Sequence, residues 1–153
     1  MYENEQWLLA RAKQSTEKLD WDKLTKNQRN QDTVEHIFPQ TASDPYWKER
    51  YNGYSEQEKL YLVHSLGNLL PLSRAKNSSL QNDSFPLKKD NGQGVGYYNG
   101  SVSENEVAKQ LDWDPSHILE RGIDLLKFME HRWRISLGDE EFKIKLLHLD
   151  FPD

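Results

Sequence analysis

The chain contains no cysteine, which excludes disulfide staples and thiolate zinc sites and fits a reducing cytoplasm. Its five histidines include no His-x-x-x-His pair, so a structural zinc centre of the usual kind is excluded as well. No apolar run approaches the ~20 residues needed to span a bilayer, and Met1–Glu5 is unlike a signal peptide. Glycine is sparse, and its one cluster, Gly92-Gln93-Gly94-Val95-Gly96, has neither a strand before it nor a Lys-Ser/Thr pair after it. It reads as a flexible loop and not as a phosphate cradle. There is no internal repeat and no low-complexity tract. An excess of basic charge is also missing: 20 Lys and Arg against 25 Asp and Glu leave a net charge of −5. That is awkward for a partner of nucleic acid, because affinity for a polyanion comes mainly from Lys and Arg displacing counterions.

What is present suits one domain: 153 residues, 35% of them hydrophobic and 29% charged. The informative segments are Val34-Glu35-His36-Ile37-Phe38-Pro39-Gln40, then Leu66-Gly67-Asn68-Leu69-Leu70-Pro71-Leu72, then Asn77. Each apolar run reads as a short strand, and strand alternation sends Glu35 and His36 to opposite faces. Ser73 is a helix N-cap for Arg74–Leu80. The implied order is strand, long loop, strand, helix. In such a unit the helix brings Asn77 back to the first strand, where its amide oxygen and the Glu35 carboxylate suit a hard divalent cation. His36 is then free to act as a base near neutral pH.

With those residues in order the chain resembles the HNH, or His-Me finger, nucleases, and most closely the C-terminal nuclease domain of GmrSD-type restriction endonucleases. The resemblance covers roughly residues 30 to 135. It rests on Glu-His-Ile-x-Pro-Gln, on Leu-Gly-Asn-Leu, on Asn77 nine positions beyond Asn68, and on Asn82-Asp83-Ser84-Phe85-Pro86-Leu87-Lys88. A tail with Tyr97 or Tyr98, Ser101, Trp113, Ile118, Glu120, Arg121 and Trp133 adds to it.

The resemblance implies an α+β domain, mostly helical, around a ββα-metal motif. It makes His36 the general base, Glu35 and Asn77 the ligands of one Mg²⁺ or Mn²⁺ ion, and Asn68 a residue that ties the loop to the motif. Lys88 and Asn82 match positions near the scissile phosphate. Asparagine stands where the pattern ends in histidine, and an amide oxygen suits Mg²⁺ or Mn²⁺ better than Zn²⁺. Arg74, Lys76, Asn82 and Lys89 are the candidate nucleic-acid contacts; from Ser73 to Lys89 the charge is +3. Arg121, Lys127, Arg132 and Arg134 are candidates to extend that face. The implied activity is a DNA endonuclease or nickase acting in restriction of phage or foreign DNA, modified DNA included. The family implies an N-terminal NTPase-like domain or partner subunit, with this chain as a piece of a longer protein. Two rival readings remain: a binding or docking module without turnover, and a ribonuclease toxin.

Single residues also have plainer readings. A histidine in an apolar strand is more often structural, and only its combination with Glu35, Asn68 and Asn77 favours catalysis. His64 suits surface or packing better than a second metal site. Tyr46, Trp47, Tyr51 and Tyr54 suit the core better than stacking on bases. Glu3 to Leu19 reads as an amphipathic helix covering the nuclease motif, and residues 20 to 33 as irregular. Thr41 to Tyr54 carries turn signals, and Glu56 to Val63 reads as a short helix. Ser103-Glu104-Asn105-Glu106 fits a capping box opening a helix to about Leu111. Asp114-Pro115 opens a long scaffold helix with Ile118, Gly122, Leu125, Leu126, Met129 and Trp133 on one stripe. Phe142 to Phe151 reads as a short strand or a frayed tail.

Overall fold

Short-range capping signals set most of the element boundaries. The computed structural model describes residues 2–13 and 32–151. Helix α1 is Tyr2–Lys13, strand β1 Asp32–His36, α2 Pro45–Arg50, α3 Glu56–His64, β2 Leu69–Ser73, α4 Arg74–Leu80, α5 Phe85–Lys89, α6 Val102–Ala108, α7 Pro115–Trp133 and α8 Glu140–Leu146. Single 3₁₀ turns cover Leu66–Asn68 and Tyr97–Asn99. The result is a mostly helical α+β domain. Its one sheet among the described residues is antiparallel, running from Asp32 opposite Ser73 to His36 opposite Leu69. No helix among them is long and apolar enough to cross a membrane.

The serine at the end of β2 starts α4 as expected, its hydroxyl accepting from the Lys76 N–H. The second strand begins later than its apolar run suggests, because Leu66–Asn68 coils into the 3₁₀ turn first. Residues 41 to 54 are not all turn. Asp44 caps α2 and Pro45 occupies its first position, so the Asp-Pro pair starts a helix. The capping box at α6 lies two residues earlier than predicted: Ser101 and Glu104 bond each other's backbone, and the helix ends at Ala108. The last segment is helical as far as Leu146, in a helix that opens at the Asp139 N-cap, and irregular beyond it.

The described part of helix α1, Tyr2–Lys13, packs on α6. Its Glu5 accepts from the N–H groups of Val102 (2.7 Å) and Ser103 (2.8 Å), serving the exposed donors of a helix start. The rest of the predicted helix to Leu19, and the irregular segment up to residue 31, lie outside the described residues.

The core forms where the hairpin, α2 and α7 meet. Phe38 stacks on Tyr51 at 3.7 Å, with Trp47 against both. Trp47 and Tyr51 are thus packed rather than presented to a partner. Ile118, Ile123 and Leu126 come from α7, while Trp133 at its end is 51% exposed. The 3₁₀ turn sits directly on α7: a Cβ on Gly67 would lie 1.8 Å from the Ile118 carbonyl oxygen. Only glycine allows that approach.

Candidate active site

Between β1 and α4 lies a cleft of about 610 Å³, lined by Glu35, His36, Arg74, Asn77 and Asn82 among others. Five of the nominated residues therefore meet in one place. Asn77 is oriented by the hairpin itself. Its Nδ2 donates to Thr33 Oγ1 (2.8 Å) and to the Val34 carbonyl (3.2 Å). Both amide hydrogens are engaged there, which leaves Oδ1 as the atom able to take a cation.

His36 is the last residue of β1 and half-buried. Just beyond it the backbone turns inward, the Ile37 N–H donating to the Asn68 carbonyl at 3.0 Å. The ring of His64, from the end of α3, meets the His36 ring edge to face at 5.3 Å and 87°. Burial, reinforced by His64 and Lys88, lowers the His36 pKa below its ordinary 6.5. The imidazole is thereby held neutral near pH 7, the form that accepts a proton.

Asn68 takes no part in the cleft. It is wholly buried and works as a connector. Oδ1 accepts from Phe38 N–H (2.8 Å) and Trp113 Nε1 (3.2 Å), while Nδ2 donates to the carbonyls of Phe38 (2.9 Å) and Val63 (2.9 Å). Arg121 clamps the flanking residues, its guanidinium donating to the Gly67 (2.6 Å) and Leu69 (2.9 Å) carbonyls. Burial lowers Arg121 to about 10. Its expected place on a DNA-facing surface is therefore corrected: it serves the turn from inside. Lys127 pairs with Glu140 and Arg132 with Glu3.

Behind β1 lies the feature that the sequence did not suggest. Lys88 has no exposed surface; its Nζ donates to Glu35 Oε1 (2.6 Å), the His36 carbonyl (2.9 Å) and the Ile37 carbonyl (3.1 Å). Tyr97 donates its hydroxyl to the same Glu35 oxygen at 3.0 Å. Burial raises Glu35 against the pull of Lys88, and lowers Lys88 against the pull of Glu35. Burial also pushes Tyr97 well above its usual range, so its hydroxyl remains a donor. Lys88 thus binds the back of the strand and has no surface for a phosphate.

Two more expected DNA contacts point elsewhere. Lys76 bonds Glu104 and the Gly96 carbonyl. Lys89 donates to the Gln110 carbonyl and lies over the Phe85 ring. Arg74 and Asn82 do line the cleft. The +3 charge counted along the segment is consequently not a surface charge facing the site.

The cleft offers two oxygen groups of the kind a hard divalent ion takes, the Glu35 carboxylate and the Asn77 amide, and Glu35 Oε1 is already engaged by Lys88 and Tyr97. The set does not fit a self-contained zinc site, since no group of three His, Cys, Asp or Glu able to hold a metal occurs among the described residues.

Residues 3–128 match the family model for GmrSD restriction endonucleases, C-terminal domain. No curated protein and no solved structure matches the chain.

Proposed function

Because the chain belongs to the family of GmrSD restriction endonuclease C-terminal domains, we propose that it is a divalent-metal-dependent DNA endonuclease or nickase of the HNH type. In this reading β1, β2 and α4 are its ββα-metal unit. The observation that carries it is the pairing of His36 and Asn77 across one cleft, with the Asn77 amide oxygen left free by the two hydrogen bonds of its Nδ2.

His36, held neutral, takes the proton from the water that attacks the phosphodiester. Asn77 Oδ1 and Glu35 would hold one Mg²⁺ or Mn²⁺. When bound, such an ion polarises the scissile phosphate and offsets charge on the leaving 3′-oxygen. Arg74 and Asn82 contact the backbone beside the cut. Asn68 and Arg121 keep the turn in register from outside the chemistry. By family analogy the role is restriction of phage or foreign DNA, with an NTPase-like domain or subunit delivering the substrate.

The test is conversion of supercoiled plasmid by the purified protein with Mg²⁺ or Mn²⁺, beside chelator and His36→Ala controls. Cleavage lost in both controls is expected; general-base loss alone accounts for about 10²–10⁴-fold. Cleavage that survives His36→Ala, or chelation, refutes the mechanism. Metal-independent binding of DNA without cleavage would identify a binding module, and digestion confined to structured RNA a ribonuclease.

A further inference from the structure

Strand β1 stops pairing at His36, and the path of the chain just beyond it decides where the candidate base stands. Ile37 and Phe38 are at most 2% exposed, so their backbone groups and the adjoining His36 carbonyl need partners inside the protein. Two residues supply all of them. Asn68 takes the Ile37 N–H on its carbonyl (3.0 Å), the Phe38 N–H on its Oδ1 (2.8 Å) and the Phe38 carbonyl on its Nδ2 (2.9 Å). Lys88 takes the two that remain, the carbonyls of His36 (2.9 Å) and Ile37 (3.1 Å). Asn68 sits in the turn that leads into β2, whereas Lys88 comes from α5, 52 positions beyond His36.

Lysine suits that place for a stated reason. An ammonium carries three donors on one atom and no acceptor, and the third donor here meets Glu35 Oε1 at 2.6 Å. A primary amide offers only two donors, and a guanidinium spreads its own across a rigid plane. Glu35 also matches the charge of a side chain that has no exposed surface, and an unmatched ammonium would not be held there.

The consequence falls on His36. Its carbonyl belongs to the peptide that closes its own backbone, so a rotation of that peptide swings the Cβ and the imidazole relative to Asn77. Among the described residues the imidazole itself makes no hydrogen bond, and the ring beside it, His64, is exposed. The aim of the ring is therefore set through the backbone.

We propose that Lys88 is a positioning residue for the reaction proposed above: from behind β1 its ammonium locks the His36 and Ile37 carbonyls and so aims the imidazole at the water it activates. The inference rests on His36 being the base. It departs from the phosphate role that the family pattern gives this lysine, because Nζ has no surface from which to reach DNA.

Lys88→Met keeps the length of the side chain and removes the ammonium. Three readings are taken on it: steady-state plasmid nicking with Mg²⁺, hydrogen exchange at the Ile37 and Phe38 amides, and cross-relaxation between the ring protons of His36 and His64 in DNA-free protein, whose ring centres lie 5.3 Å apart. The expected kcat is lower by about tenfold to a hundredfold, the cost of an ångström-scale misplacement, with KM and DNA affinity unchanged. Exchange at the two amides is expected to quicken and the ring cross-relaxation to weaken. Because the chain has no cysteine, Lys88→Cys protein can be alkylated at that one place, in urea before refolding, beside unaltered protein treated alike. Alkylation with 2-bromoethylamine restores an ammonium at the reach of lysine and is expected to restore all three readings. Alkylation with 1-bromopropane ends the same chain in a methyl group and is expected to restore none.

Weakened DNA binding with kcat unchanged would return Lys88 to the phosphate and overturn the inference. Unchanged exchange and ring contact in Lys88→Met would overturn it too, as would equal recovery from the two alkyl groups, which would make Lys88 a filler of space. Where Lys88→Met alone does not fold, Glu35→Gln combined with Lys88→Met leaves no buried charge unpaired and is read by exchange and cross-relaxation. If the unaltered protein cuts no DNA, the proposed function falls; if it cuts through His36 and Lys88→Met cuts equally well, only this inference falls.

Discussion

Replacing Asn68 with alanine removes a side chain that touches no substrate, yet it should be among the most damaging changes in the chain. Its four hydrogen bonds, between 2.8 and 3.2 Å, serve two donors and two acceptors on three residues from separate parts of the chain: the Phe38 N–H and carbonyl, the Val63 carbonyl and the Trp113 indole. Asn68 has no exposed surface, so each group left behind is desolvated, at about 1–3 kcal/mol apiece. The carbonyls have second lone pairs and the vacated space is polar enough to admit a water, which lowers the total. A loss of about 3–5 kcal/mol is the resulting figure, against a whole-domain stability of about 5–15 kcal/mol. Urea unfolding followed by tryptophan fluorescence measures it directly. Asn68→Asp sharpens the test, since it keeps the shape but turns a carboxylate oxygen towards the Phe38 and Val63 carbonyls; it should lose at least as much as alanine. Either variant losing under about 1 kcal/mol would refute the connector role, because even a single orphaned buried group costs that much.

Cleavage should rise with pH along a one-proton limb whose midpoint lies below 6.5, the direction in which burial, His64 and Lys88 move His36. His64→Ala should move that midpoint upward, and a pH–rate profile of each protein checks both statements. Gly67→Ala places a Cβ 1.8 Å from the Ile118 carbonyl oxygen and 2.8 Å from Gly122 N. Both are backbone atoms of α7 that cannot swing aside. The turn must lift from the helix at a cost of about 3 kcal/mol or more, read as a fall in thermal midpoint.

Where one short segment contains both signal and response, the sequence was readable. Ser73 before α4 and Asp114-Pro115 before α7 each place a capping side chain within three residues of the N–H it serves. The order of His36, Asn68 and Asn77 was readable for a different reason, the family pattern, and the cleft does gather His36, Asn77, Glu35, Arg74 and Asn82. Capping misled where two boxes overlap: Ser101 with Glu104 and Ser103 with Glu106 both fit the pattern. The first is formed, with Glu104 also drawn to Lys76. Lys88 was unreadable locally. A lysine beside another lysine has the signature of a solvated charge, and its burial depends on a carboxylate 53 positions away. Lys76 and Lys89 share that problem, since their partners lie 28 and 21 positions further on.

The seating of the Leu66–Asn68 turn on α7 fixes the smallest piece of chain that can be transplanted. The three chemical groups of the cleft lie within residues 35–77, and a graft of β1 through α4 looks sufficient on paper. That graft would leave behind Trp113, which donates to Asn68, and Arg121, which holds the carbonyls on either side of it. It would also discard the Ile118–Gly122 backbone against which Gly67 rests. An engineer moving this unit onto another scaffold must carry Trp113 and α7 with it, or build a surface that presents an indole N–H, a guanidinium and a flat stretch of helix backbone at the same three places.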